Sequence, residues 1–108
     1  MSIAVTTFRT VYASMPDARA EIRQGRVKMT EALCTGIGKE RQSSDQGQYE
    51  SIDGLVRVVA ADVPARMKLV NGELLDVKPS GGEWQTLRIG GRFEQAGVIR
   101  LTMEWPHE

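Results

Sequence analysis

Over most of this chain apolar side chains fall at every second position, and only the first two dozen residues follow a longer period. There Phe8, Val11, Tyr12 and Met15 recur at spacings of three, one and three, which places them on one face of a helix. Pro16 interrupts the series, but proline is accommodated in the first turn of a helix. A further helical turn or two over residues 17–23 is therefore expected, with Gly25 as its stop. The β-branched Val5, Thr6, Thr7, Thr10 and Val11 argue for a strand instead; the helical spacing decides between the two.

From Arg26 onward the period is two. Val27, Met29 and Leu33 alternate with Lys28 and Thr30 before the glycine turn Gly36-Ile37-Gly38. Residues 39–51 then carry charged and amide side chains, with Tyr49 as the one large apolar group, so they predict an exposed loop or an extended hairpin arm. Residues 55–60 are apolar on nearly both faces and predict a central strand, ended by Asp62-Val63-Pro64. Leu75 and Val77 share one face of a strand over 73–78. Pro79-Ser80-Gly81-Gly82 turns the chain, and residues 84–89 return it. Gly90-Gly91 breaks or bulges that return strand. In residues 98–105, Ile99, Leu101, Met103 and Trp105 alternate with Arg100, Thr102 and Glu104, the mark of a half-buried antiparallel strand.

With no helix long enough for a parallel crossover, these strands predict a mainly β fold: a small antiparallel β-barrel or sandwich. It carries a short N-terminal helical segment and a long polar arm. Residues 1–108 read as one domain, with the helical segment over 1–25, the β domain over 26–105 and the arm over 39–51. The expected core is Val27, Leu33, Val56, Val58, Leu75, Leu87, Ile99, Leu101 and Met103. An open sheet in such a fold would leave unpaired strand edges.

Composition narrows the function classes. At 108 residues there is room for one modest core, and oligomerisation is a natural way to widen a thin stability margin. Fourteen basic side chains balance fourteen acidic ones, so the chain lacks the basic surplus of most nucleic-acid binders. The single cysteine, Cys34, forms no intrachain disulfide and sits in an apolar run that reads as buried. The start of the chain lacks a signal-peptide pattern, and no apolar run reaches the roughly twenty residues that span a bilayer. Synthesis in a cytoplasm is the expectation.

No constellation points to catalysis, a cofactor or a metal. Gly36-Ile37-Gly38-Lys39 lacks the second half of a phosphate-binding loop and reads as a turn. The one histidine, His107, is poorly placed as a general base, and Glu31, Asp76, Glu83, Glu94 and Glu104 are scattered over different strands. Arg57, Arg88, Arg92 and Arg100 are expected to make cross-strand ion pairs, with a nucleic-acid stripe as the alternative. Trp84, Phe93 and Trp105 read as packing groups before stacking platforms. The chain is therefore expected to be no enzyme, and to work by binding and assembly.

One resemblance sharpens that expectation. It rests on residues 58–64 (Val-Val-Ala-Ala-Asp-Val-Pro), 72–77 (Gly-Glu-Leu-Leu-Asp-Val), 84–92 (Trp-Gln-Thr-Leu-Arg-Ile-Gly-Gly-Arg) and 97–104 (Gly-Val-Ile-Arg-Leu-Thr-Met-Glu). In this order they resemble the small head–tail joining proteins of tailed bacteriophages and prophages, over most of residues 26–104. The resemblance implies a non-enzymatic virion protein, made in the host cytoplasm, that forms a homo-oligomeric ring at the neck. Its implied neighbours are portal or adaptor and tail proteins, with no membrane and no sequence-specific nucleic acid. The candidate assembly arm comprises Arg41, Gln42, Ser43, Ser44, Asp45, Gln46, Gln48 and Tyr49. The alternative function is a small OB-like barrel that binds nucleic acid or another ligand.

Overall fold

The computed structural model describes residues 2–36 and 54–106. The helical spacing near the N-terminus is realised in α1 (Ile3–Ser14). Its sequence is rich in β-branched and hydroxyl residues, and local hydrogen bonds reconcile them with a helix. The Ser2 side chain caps the first turn by accepting from the Val5 amide at 3.0 Å. Thr6, Thr10 and Ser14 turn their hydroxyls back onto carbonyls one turn earlier. Packing supplies the rest: Phe8 is buried against Leu33 and Val59, with Val5, Val11, Tyr12 and Val98 around it. Met15, expected on the same face, instead follows the helix and is 54% exposed.

The second helical turn expected over residues 17–23 does not form. Pro16–Ala18 make one short 3-10 turn, and Arg19–Gln24 is a strand, β1. Ala20 and Ile22 point inward between outward Arg19, Glu21 and Arg23, so the segment has a period of two that its charged residues disguise. Gly25, at φ 63°, is the first residue of a two-residue hairpin loop rather than a helix stop.

Five more strands follow: β2 (Val27–Thr35), β3 (Gly54–Val59), β4 (Leu74–Pro79), β5 (Gln85–Gln95) and β6 (Val98–Glu104). All pairings are antiparallel, and the strands close into a barrel in the order β1-β2-β3-β6-β5-β4. Of the barrel and the sandwich expected from the pattern, the barrel is the one formed, and its closure satisfies within the chain the edges that an open sheet would leave unpaired. One stretch departs from full pairing. The β4 partners of β5 end at Arg88, so residues 90–95 of β5 pair with β6 alone among the described residues.

Inward alternation fills the barrel with Ile22, Val56, Val58, Leu75, Val77, Leu87, Ile89, Leu101 and Met103, all almost completely buried. Two bulges reset the alternation, one where Ala20 and Ile22 face Ala32 and Met29, and one at Gly90-Gly91. The first explains Leu33: it is buried as expected, but on the outside of the barrel beneath α1. Val59 meets α1 likewise, which accounts for a β3 that is apolar on both faces. Val27 packs only partly against the core.

Irregular chain joins β3 to β4, and Met67 and Leu69 from it join the barrel core. The Gln24 side chain holds that segment in place. It donates to the carbonyls of Lys68 and Leu74 and accepts from the Lys68 amide.

Candidate docking surface

Outward alternation on β3, β6 and β5 brings two arginines and a phenylalanine into one cross-strand row. Arg57 stands directly opposite Arg100 across the β3–β6 ladder, and Arg100 directly opposite Phe93 across the β5–β6 ladder. All three side chains are exposed. The Arg100 guanidinium lies 5.3 Å from the centre of the Phe93 ring, and Phe93 is 51% exposed. No ion pair or side-chain hydrogen bond engages Arg57 among the described residues, and none engages the side chain of Arg100 beyond its contact with the ring. Like charges directly opposite each other on a sheet repel, so nothing in the isolated barrel favours this pair.

The expected cross-strand ion pairing therefore fails for Arg100. It fails for Arg88 too, which faces Glu104 without closing to ion-pair distance. Arg92 does find a carboxylate, Glu94, at 2.9 Å along its own strand. Some cations elsewhere are matched, whereas Arg26, Arg66, Lys68 and Lys78, like Arg57 and Arg100, make no ion pair among the described residues. Arg9 links α1 to Glu31 at 3.1 Å and to Asp62 at 3.0 Å, and Arg23 bridges Asp76 at 3.1 Å beneath the Trp84 ring. Arg19 donates to the carbonyls of Tyr12 and Ala13 at the end of α1. Lys28 lies 2.9 Å from Glu21 and holds its carboxyl below the usual range.

The remaining candidates for chemistry stay apart. Glu31, Asp76 and Glu94 are each held by a different arginine. Among the described residues no three of His, Cys, Asp and Glu come together as a metal site. Cys34 is buried inside the barrel, and burial pushes its thiol pKa up. The aromatic groups do not share a platform: Trp84 is covered by Arg23 of β1, Phe93 contacts Arg100 of β6, and Trp105 packs against the core. A cleft of about 320 Å³ between α1 and the β4–β5 turn is lined by Tyr12, Arg19, Lys78 and Ser80, without a nucleophile–base pair. The arm residues Arg41, Gln42, Ser43, Ser44, Asp45, Gln46, Gln48 and Tyr49, and His107, lie outside the described residues.

The sequence presents Arg57 and Arg100 only as two members of a set of four arginines. Their juxtaposition depends on the β3–β6 register, and no local pattern encodes it. No family model, curated protein or solved structure matches the chain.

Proposed function

We propose that this protein is a structural assembly component, a head–tail joining protein of a tailed phage or prophage that works by oligomerising and docking at the neck. The observation that carries the docking part is the Arg57–Arg100–Phe93 face, two unmatched guanidiniums beside a half-exposed aromatic ring. Arginine and aromatic side chains are the groups enriched where proteins meet. An acidic partner surface would relieve the repulsion between the two arginines. The neck assignment draws on the sequence resemblance over residues 26–104, and a small closed barrel is a rigid unit suited to repetition in a ring.

Gold-labelled antibody against the chain tests the placement in intact particles. Label at the junction of head and tail is expected; particles that lack the protein, or carry it only on the shell or fibres, overturn the reading. The same face also favours the OB-like alternative, because Arg and Phe are the groups that grip single-stranded nucleic acid. Salt-sensitive binding of single-stranded DNA by the purified protein would support that alternative.

A further inference from the structure

We infer that the cleft between α1 and the β4–β5 turn is a binding site for a small phosphate monoester that carries a hydroxyl or amine donor beside its phosphate. The site goes beyond assembly and does not depend on whether copies of the chain join.

The fold brings polar side chains from β1, β4 and the turn together in this cleft of about 320 Å³. That volume is at the small end of the range for small-molecule sites. Arg19 and Glu21 alternate outward on β1, Lys78 stands directly opposite Glu21 on β4, and Ser80 follows in the turn. The turn is held against β1 by the Ser80 amide, which donates to the Arg19 carbonyl at 2.9 Å.

Arg19 separates this cleft from a scatter of unpaired surface charges. It is half-buried, its guanidinium lies 4.9 Å from the centre of the Tyr12 ring, and two hydrogen bonds fix its orientation. Its Nε donates to the Tyr12 carbonyl at 2.6 Å and one terminal nitrogen donates to the Ala13 carbonyl at 3.1 Å. Those bonds use two of the five N–H groups of a guanidinium, and the others have no partner among the described residues. A donor fork already held in place loses little freedom on meeting an anion. The same bonds cover carbonyls at the end of α1, whose partial negative charge would otherwise repel one.

Lys78, also half-buried, supplies a second cation. It faces Glu21, yet that carboxylate goes to Lys28 at 2.9 Å and leaves the ammonium without an ion pair. Asp17 and Glu83, the carboxylates that flank this seam, do not line the cleft. In two other clefts the cations are already bound to carboxylates: Arg9 and Lys28 in one, Arg23 in the other.

The donor set decides the ligand. The guanidinium, the ammonium and the Ser80 hydroxyl offer more donors than the roughly four lone pairs of a carboxylate accept, which suits the terminal oxygens of a phosphate. Glu21 disfavours a second anionic group at its end of the cleft and accepts from a hydroxyl or amine there.

Nuclear magnetic resonance titration of the isotope-labelled full chain with glycerol phosphate, at constant ionic strength, tests the site. Saturable shifts centred on the Thr30, Ser80 and Gly81 amides are expected, with inorganic phosphate binding more weakly and acetate more weakly still. Lys78→Gln should reduce the affinity by about tenfold while thermal unfolding matches the wild type. Arg66→Gln, which removes an exposed cation remote from the cleft, should leave the affinity unchanged. Shifts that grow linearly without saturating, or that centre on Arg57 and Arg100, overturn the site. So does an affinity that Lys78→Gln leaves unchanged or that Arg66→Gln reduces equally. Acetate bound as tightly as phosphate overturns the phosphate assignment, and glycerol phosphate bound no better than inorganic phosphate overturns the organic ligand.

Discussion

Leu101 shows how a single position reports on the fold. It faces Val56 on β3, is fully buried in the barrel and is surrounded by branched side chains that cannot collapse into a void. Leu101→Ala should lower stability by about 2–4 kcal/mol in urea unfolding, through lost burial plus a residual cavity. A loss below about half a kcal/mol would mean the register is displaced by one residue. Gly97 is constrained twice over: its φ is 87°, and an added Cβ would come within 3.0 Å of the Val5 side chain on α1. Gly97→Ala should cost about 1–3 kcal/mol in the same assay, by backbone strain and a disturbed helix contact. Cys34, buried and with its thiol pKa raised, should react with a thiol reagent at neutral pH far more slowly in the native protein than after unfolding. Equal rates would place it at the surface. At this scale alternation made most of the core legible, Leu75, Ile99 and Met103 among it. Met67 and Leu69 escaped because no strand frames them, and Gln24 escaped because its role depends on a loop more than forty residues away.

At the scale of the element, α1 and β1 separate what spacing can and cannot decide. The three-and-four spacing of Phe8, Val11 and Tyr12 located the helix despite its poor intrinsic propensity, because tertiary burial of one face outweighs propensity. The same logic failed over residues 17–23, where the inward groups are only Ala20 and Ile22 and the outward ones suit a helix equally well. Pairing on both sides, with β2 across a tight hairpin and with β4 more than fifty residues later, settled that segment as a strand. The helix rests on a small satellite cluster, whereas the strands share one continuous core. Amide hydrogen exchange should therefore show α1 opening at lower free energy than β3 and β6. Protection of α1 equal to that of β6 would contradict this division. Between β1 and β2, the Glu21–Lys28 contact makes a pH-dependent contribution. The carboxyl titrates lower when folded, so its stabilisation is present above the ordinary carboxylate range and is lost as pH falls through it. Acid titration of Glu21→Gln should show a correspondingly weaker dependence, and an unchanged curve would show that the contact does not persist in solution.

For the whole molecule, barrel closure changes what assembly can use. Free strand edges are the simplest adhesive for a small β protein, and closure removes most of them, leaving side chains on the outer faces to make contacts. Strand count and alternation brought the sequence as far as a barrel or a sandwich; closure was not legible because it depends on β1 pairing with β4 more than fifty residues later. The proposed docking face was hidden for the same reason, since Arg57 and Arg100 become neighbours only through the β3–β6 ladder. If, as proposed, this barrel works by joining copies of itself, native mass spectrometry of the purified full chain over a range of concentrations should reveal the assembly. A single dominant species at one integer multiple of the subunit mass, growing with concentration at the expense of monomer, is the expected result. A chain that remains monomeric throughout, or that forms a ladder of indefinite aggregates without a preferred size, would contradict it.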